Sequence, residues 1–324
     1  MVTSKCNLPT STVNQSRIGL FQATRRPILL ADHVVKTKWG SVSVSGRLGQ
    51  KHSDVLESIL FCAELEAKTE DRRIKVLVDL YRVRKHADIA SSKEVNKIIK
   101  EIMAAVVSVD FPSKNGGRCQ SVGHLIDYIR HAQKSNGDLV TRNNPINRTQ
   151  RPLWTIELGK ALSDIIENDH WITQDPLPIA KISSGICQAI ARHVRSHQTI
   201  PRGGWILPNL ISLLIGCDAS KQQLRDRVRE VKLGNEALQA IGILVQDGRV
   251  NVEKMRNQSM REQNSYQREQ NSDVREQNSD IWSRTPVLAV LSGTSGTSGI
   301  SPDQKLQKHD PAGRGLKFAK QILH

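Results

Sequence analysis

The chain has 324 residues, of which 38% are hydrophobic and only 4% aromatic. That length suits two domains with small cores rather than one large aromatic-rich core. Its 47 Lys and Arg stand against 32 Asp and Glu, a formal net charge of +15, which points to a polyanionic partner: nucleic acid or an anionic membrane surface. A spanning segment is excluded, since it needs about 20 apolar residues and the run 206–215 is broken by Pro208 and Asn209.

The opening MVTSKCNLPTSTVNQS lacks the apolar stretch of a secretory signal. Residues 1–27, rich in Ser, Thr, Asn and Gln, are expected to be a flexible leader. Helical spacing of Val55, Leu56, Ile59, Leu60 and Ala63 predicts a helix over 53–68. KVLVDLYRV (75–83) reads as a strand. Residues 91–107 form a second predicted helix, with Val95, Ile98, Ile99, Ile102 and Val106 on one face. A strand over 107–111 follows, and Asn115, Gly116 and Gly117 mark a hairpin tip. Residues 122–133 are expected to be a short helix and 135–152 a polar loop.

The second half repeats this logic. A strand at 154–158 precedes helices over 159–167 and 178–197, the latter carrying Ile182, Ile186, Ile190 and Val194. After a turn at 196–204 come helices over 207–215 and 220–233, a further turn of helix at 236–241, and a hairpin over 243–252 around Asp247-Gly248, a favoured tight-turn pair.

Two of these helices are basic on the outside. In the first, Lys93, Asn96, Lys97 and Lys100 face away from the apolar stripe, while Glu94 and Glu101 lie to one flank. In the second, Leu224, Val228 and Val231 are the inner stripe, and Lys221, Gln222, Arg225 and Arg229 lie outside, with Asp226 placed to pair with Arg229. Cations on such a face meet phosphates, while an amide can read adenine and a guanidinium guanine. The plain alternative is a solvated charged face. Element order favours the first reading. Helix, turn, helix, basic helix and hairpin over 178–252, with Arg249 in the hairpin, is the winged helix-turn-helix plan. A basic helix beside a hairpin occurs twice in the chain.

Catalytic signatures are absent. There is no GxxxxGK[ST], HExxH or GxSxG motif, and no histidine pair near a tyrosine of the kind nicking enzymes use. His193 and His197 are spaced i, i+4 but lack a third ligand, and read as part of a basic surface helix. Five cysteines (Cys6, Cys62, Cys119, Cys187, Cys217) form no CxxC pair and read as reduced cytosolic thiols. Cys62 and Cys187 fall in apolar helical patterns and are expected to be buried. No catalytic residue, metal or cofactor is expected.

Three strings carry a resemblance: WGSVSVSGRLGQKHSDVLESIL (39–60), ICQAIARHVRSH (186–197) and WILPNLISLLIGCDASKQQLRDRVREVKLGNEALQAIGIL (205–244). They resemble the iteron-binding plasmid replication initiators with tandem winged helices, over about residues 28–254. The resemblance implies a bacterial cytoplasmic protein that binds direct repeats in double-stranded origin DNA and distorts adjacent AT-rich DNA. It further implies recruitment of the host initiator and replicative helicase, and repression of its own promoter as a homodimer. The long stretch 111–152 departs from a compact module.

The expected fold is therefore mainly α with small β-hairpins, an α+β chain of two tandem winged-helix domains. These are an N-terminal one over 28–150 and a C-terminal DNA-binding one over 151–255, followed by a disordered tail over 256–324. That tail repeats REQNS from Arg261, Arg268 and Arg275, a period of seven. Its one partly apolar column, Gln267, Val274 and Ile281, falls short of the two that a coiled coil needs. Seven codons are 21 nucleotides, close to two turns of B-DNA, so the array reads either as translated repeats kept for their DNA or as slippage in a polar tail. Alternatives to an initiator are a winged-helix transcriptional regulator and a metal-dependent nuclease or relaxase.

Overall fold

The computed structural model describes residues 4–5, 8–143, 149–216 and 219–253. The tail with its REQNS repeats lies outside the described residues, as do Cys6 and Cys217.

Strands β1 (Ser4–Lys5) and β2 (Ser11–Thr12) precede helix α1 (Val13–Arg17), which Thr12 caps by accepting the Gln15 amide. From residue 8 onward the expected flexible leader is folded instead. Ile18, Leu20 and Phe21 are buried in the first of two main cores and Ala23 in the second. Its polar side chains are occupied by tertiary bonds: Thr10 Oγ1 donates to the Gln174 carbonyl, and Asn14 donates from backbone and side chain to Asp169.

A hairpin of β3 (Leu30–Thr37) and β4 (Gly40–Gly46) leads into α2 (Gln50–Cys62). The predicted helix over 53–68 thus stops early. Ala63 is extended, and β5 (Leu65–Lys68) pairs with β6 (Ile74–Val78). The strand expected over 75–83 also shortens, because Asp79 caps α3 (Leu80–His86). Next come α4 (Ser92–Ala104) and a hairpin of β7 (Val106–Pro112) and β8 (Arg118–Gly123), turning at Gly116 and Gly117 as expected.

Residues 122–133 are not a helix. They finish β8 and form β9 (Ile126–His131), followed by β10 (Thr141–Asn143) and β11 (Gln150–Pro152). Strand β12 (Trp154–Leu158) lies between β6 and β9, ahead of α5 (Lys160–Asn168) and β13 (Trp171–Ile172).

The helix expected over 178–197 is two: α6 (Leu177–Ala180) and α7 (Gly185–Arg195), the second capped by Ser184. Then follow β14 (Trp205–Ile206), α8 (Leu207–Ile215), α9 (Lys221–Leu233), α10 (Asn235–Gln239), β15 (Ile243–Gln246) and β16 (Arg249–Val252).

The strands build sheets in the orders β3-β4-β7-β8, β1-β5-β6-β12-β9 and β14-β16-β15. This is a mixed α+β fold, and "mainly α with small hairpins" understates the strands. The reason is that β8, β9, β10, β11 and β12 are held by strand pairing while showing little apolar alternation. The boundary drawn at 150 also moves: Ile156, Leu158, Leu162 and Ile165 are buried in the first core, and the second begins at Ile179.

The two cores meet across α2 and α7. The polar face of α2, which the sequence directs to solvent, is covered: Gln50, Asp54 and Glu57 are buried. Arg192 of α7 enters it, its Nε 2.8 Å from Glu57 Oε1, its Nη2 2.6 Å from Asp54 Oδ1 and its Nη1 2.7 Å from Gln50 Oε1. Gln188 Nε2 donates to Asp54 Oδ2 at 3.2 Å. Burial raises the Asp54 pKa against the lowering effect of Arg192. Burial likewise opposes charge on Arg192, yet Glu57 and Asp54 together hold its pKa above the ordinary value.

Candidate nucleic-acid interface

Helix α4 begins at Ser91, whose hydroxyl accepts the Glu94 amide, and buries Val95, Ile98, Ile99 and Ile102. Val106, assigned to the same stripe by sequence, instead starts β7 and is exposed. With the apolar face fixed, Lys93, Asn96, Lys97 and Lys100 fall within about 100° of one another around the axis. The three lysines are exposed and Asn96 is half-buried. Both flanking carboxylates are tied back to α2: Glu94 to Lys51 at 2.6 Å, and Glu101 to His52 at 2.9 Å. Lys97 stands 3.9 Å from Glu101. The side chains of Lys93, Asn96 and Lys100 make no hydrogen bond or ion pair among the described residues.

Helix α9 starts with a reciprocal cap: the Gln223 amide donates to Ser220 Oγ at 3.1 Å, and the Ser220 amide to Gln223 Oε1 at 2.8 Å. Val231 is buried, and Leu224 and Val228 are partly buried against the second core. Lys221, Gln222, Arg225 and Arg229 are exposed and again share about 100° of the surface. Asp226, expected to pair with Arg229, accepts from Gln222 Nε2 at 3.0 Å instead. Arg227 pairs with Glu230, which accepts from the Ser184 hydroxyl and so fixes α9 to the start of α7. Arg225 and Arg229 are left without a side-chain partner among the described residues.

The β15–β16 hairpin turns at Asp247 and Gly248, with φ of 50° and 70°, the left-handed pair of a two-residue type I′ turn. Arg249 lies at its exposed end, where Nη1 donates to the Gly203 carbonyl at 2.9 Å. Strand β14 adds to β16 only because Gly204 is glycine. Its φ is +76°, and a Cβ there would meet the Val250 carbonyl oxygen at 2.4 Å.

Helices α7, α8 and α9 with the β14-β16-β15 sheet bring Lys221, Gln222, Arg225, Arg229 and Arg249 onto one module. Lys93, Asn96, Lys97 and Lys100 stand on the other, where α2, α3 and α4 precede the β7–β8 hairpin. Arg26, Arg47 and Lys51, beside α4, were missed. They are far apart in sequence and carry no shared pattern. Arg192 was missed because a basic residue in ARHVRSH looks like surface.

His193 and His197 do not form a basic surface. His193 is fully buried among Trp39, His197 and Trp205, with ring centroids 5.3, 4.6 and 6.5 Å away. Burial, then His197, Arg17 and Lys38, push its pKa down to about 3. Burial also lowers that of His197. Cys62 and Cys187 are buried as expected, and burial pushes their thiols up to about 12 and about 11. Among the described residues no group of three or more His, Cys, Asp or Glu is placed to hold a metal. No described helix is long and apolar enough to cross a membrane.

No protein-family model matches the chain, and no curated protein matches it. Two crystal structures of domains 2 and 3 of RctB are similar to it. One, a selenomethionine derivative, is 11% identical with a TM-score of 0.46 and covers 75% of this chain and 96% of that one. The other is 10% identical with a TM-score of 0.43, covering 72% and 94%.

Proposed function

We propose that the chain is a non-catalytic, sequence-specific DNA-binding protein built from two winged-helix modules, and that it initiates plasmid replication at direct repeats. One module is α2, α3 and α4 with the β7–β8 hairpin. The other is α7, α8 and α9 with β15–β16. The observation that carries the reading is α9: a capped helix, anchored by Val231 and Glu230, whose outer face offers Arg225 and Arg229 without side-chain partners among the described residues, in a module whose tight hairpin carries Arg249. Cations free of internal partners can neutralise phosphates, and Arg225 and Gln222 have the donor geometry that reads base edges. Helix α4 supplies a similar face from the first module.

Binding to iterons, opening of adjacent AT-rich DNA, recruitment of the host initiator and helicase, and autorepression as a homodimer follow from the family resemblance of the sequence. The REQNS array adds a candidate site: seven codons per unit are 21 nucleotides, and on this reading the gene segment repeats at that period. Fluorescence anisotropy on duplexes carrying that repeat, against scrambled duplexes of equal composition, tests the reading. Preference for the repeat, together with affinity that falls steeply with salt, is expected. Equal binding to both duplexes would remove the claim on these repeats, and absence of duplex binding would remove the DNA-binding role.

A further inference from the structure

A cleft of about 250 Å³ opens beside α4, walled by the 25–27 segment, Arg47 and the first turn of α2. Arg25, Arg26, Arg47, Lys51 and Lys97 line it, opposed by two carboxylates, Glu94 and Glu101, which leaves three positive charges in excess. His52 adds none: burial lowers its pKa, and its Nε2 is bonded to Glu101.

These charges are unequally committed. Arg25 Nη1 donates to the Ala180 and Ile182 carbonyls, Lys51 holds Glu94 at 2.6 Å and Lys97 stands 3.9 Å from Glu101. Arg26 and Arg47 are exposed, and their side chains make no hydrogen bond or ion pair among the described residues. Arg47 is nonetheless close enough to His52 to lower its pKa, so its charge is felt inside the cleft. Two unmatched guanidinium groups at a cleft with a positive excess call for an anion, and their planar fork suits phosphate. Lys97 belongs both to this cleft and to the outer stripe of α4.

We propose that the cleft grips a backbone phosphate of the DNA strand lying along α4, with Arg26 and Arg47 as its ligands and Lys97 joining the cleft to the outer face of the helix. The inference rests on the DNA-binding reading of α4 and adds ligands from outside that helix. Among the described residues nothing is bonded to the two guanidinium groups, so an Arg26→Gln/Arg47→Gln variant is expected to melt with wild type.

The test is the salt dependence of duplex affinity for the full chain, with inorganic tripolyphosphate as a second arm. In the double variant the slope of log affinity against log salt is expected to be shallower by about 0.9, one phosphate, on repeat and scrambled duplex alike. Glu94→Gln, which releases Lys51, is expected to steepen it. An unchanged slope in the double variant, while Arg229→Gln does flatten it, overturns the cleft and leaves the DNA-binding reading standing. A wild-type chain with no salt-dependent duplex binding overturns both. If tripolyphosphate raises the Tm of wild type but not of the double variant, and duplex slopes are equal, the cleft serves a free polyphosphate and the strand assignment is wrong.

Discussion

Replacing Arg192 by Met removes the cation on which the contact between the two modules is built. The guanidinium gives Glu57 two hydrogen bonds, at 2.8 and 3.0 Å, and Asp54 and Gln50 one each. Without it, among the described residues, Asp54 keeps a hydrogen bond only from Gln188 and Glu57 only from Ser53, and both carboxylates remain buried. Removing one partner of a buried ion pair costs about 3–5 kcal/mol, mostly from the charge left behind. Urea denaturation followed by circular dichroism measures this. With m of about 3 kcal/mol/M, the midpoint is expected to fall by about 1 to 1.7 M. The deficit should also depend on pH. Burial raises the folded pKa of Asp54, and Arg192 is the group that opposes it, so the stability this carboxylate allows is present at low pH and lost as pH rises through the folded pKa. The variant is therefore expected to lose less, relative to wild type, at about pH 5 than at about pH 7. Adding Asp54→Leu and Glu57→Met is expected to recover most of the loss, because a buried pair replaced by apolar groups of similar volume costs little. An Arg192→Met variant with the wild-type midpoint at neutral pH would refute the reasoning.

His193 gives the wild type its own acid sensitivity. Its folded pKa of about 3 lies below the ordinary 6.5, so the unfolded chain binds the extra proton between these values. Stability is then complete above about pH 6.5 and falls with pH, by about 2 kcal/mol at about pH 5. Urea midpoints should show this, and His193→Phe should flatten it. Arg225→Ala should leave the Tm unchanged, since the side chain has no folded-state partner among the described residues. It should lower discrimination between repeat and scrambled duplex by about 1–3 kcal/mol in competition binding. Lys97→Ala should weaken both duplexes alike and make the salt slope shallower by about 0.9. Gly204→Ala should destabilise the chain by roughly 1–3 kcal/mol and weaken DNA binding, because its Cβ would meet the Val250 carbonyl at 2.4 Å. Thermal melts and anisotropy check it.

The second module was legible because each of its signals is local. Ser220 with Gln223 announces the start of α9, Asp247-Gly248 the hairpin, and the stripe of Leu224, Val228 and Val231 the buried side. The outer faces of α4 and α9 followed from those stripes alone. The rest depends on partners distant in the chain. Residues 122–133 read as a short helix in the sequence, but 126–131 is held as β9 by pairing with β12. Residues 8–27 looked unstructured because Ile18, Leu20 and Phe21 sit among polar residues that bond to the 169–174 segment and to Ser196, just past α7. The polar side of α2 gave no sign that Arg192, some 135 residues away, would cover it. Lysines and arginines gathered from separate segments around α4 likewise show no pattern until the chain is folded.

Hydroxyl-radical footprinting on a duplex with two or more copies of the 21-base-pair repeat tests the central claim most directly. If both α4 and α9 enter major grooves, each bound protein should protect two patches about 10 base pairs apart. Substitution of Arg225 and Arg229 should erase one patch and substitution of Lys93, Lys97 and Lys100 the other. A single patch insensitive to the α4 lysines, or even protection along the whole duplex, would contradict two DNA-reading modules in one chain.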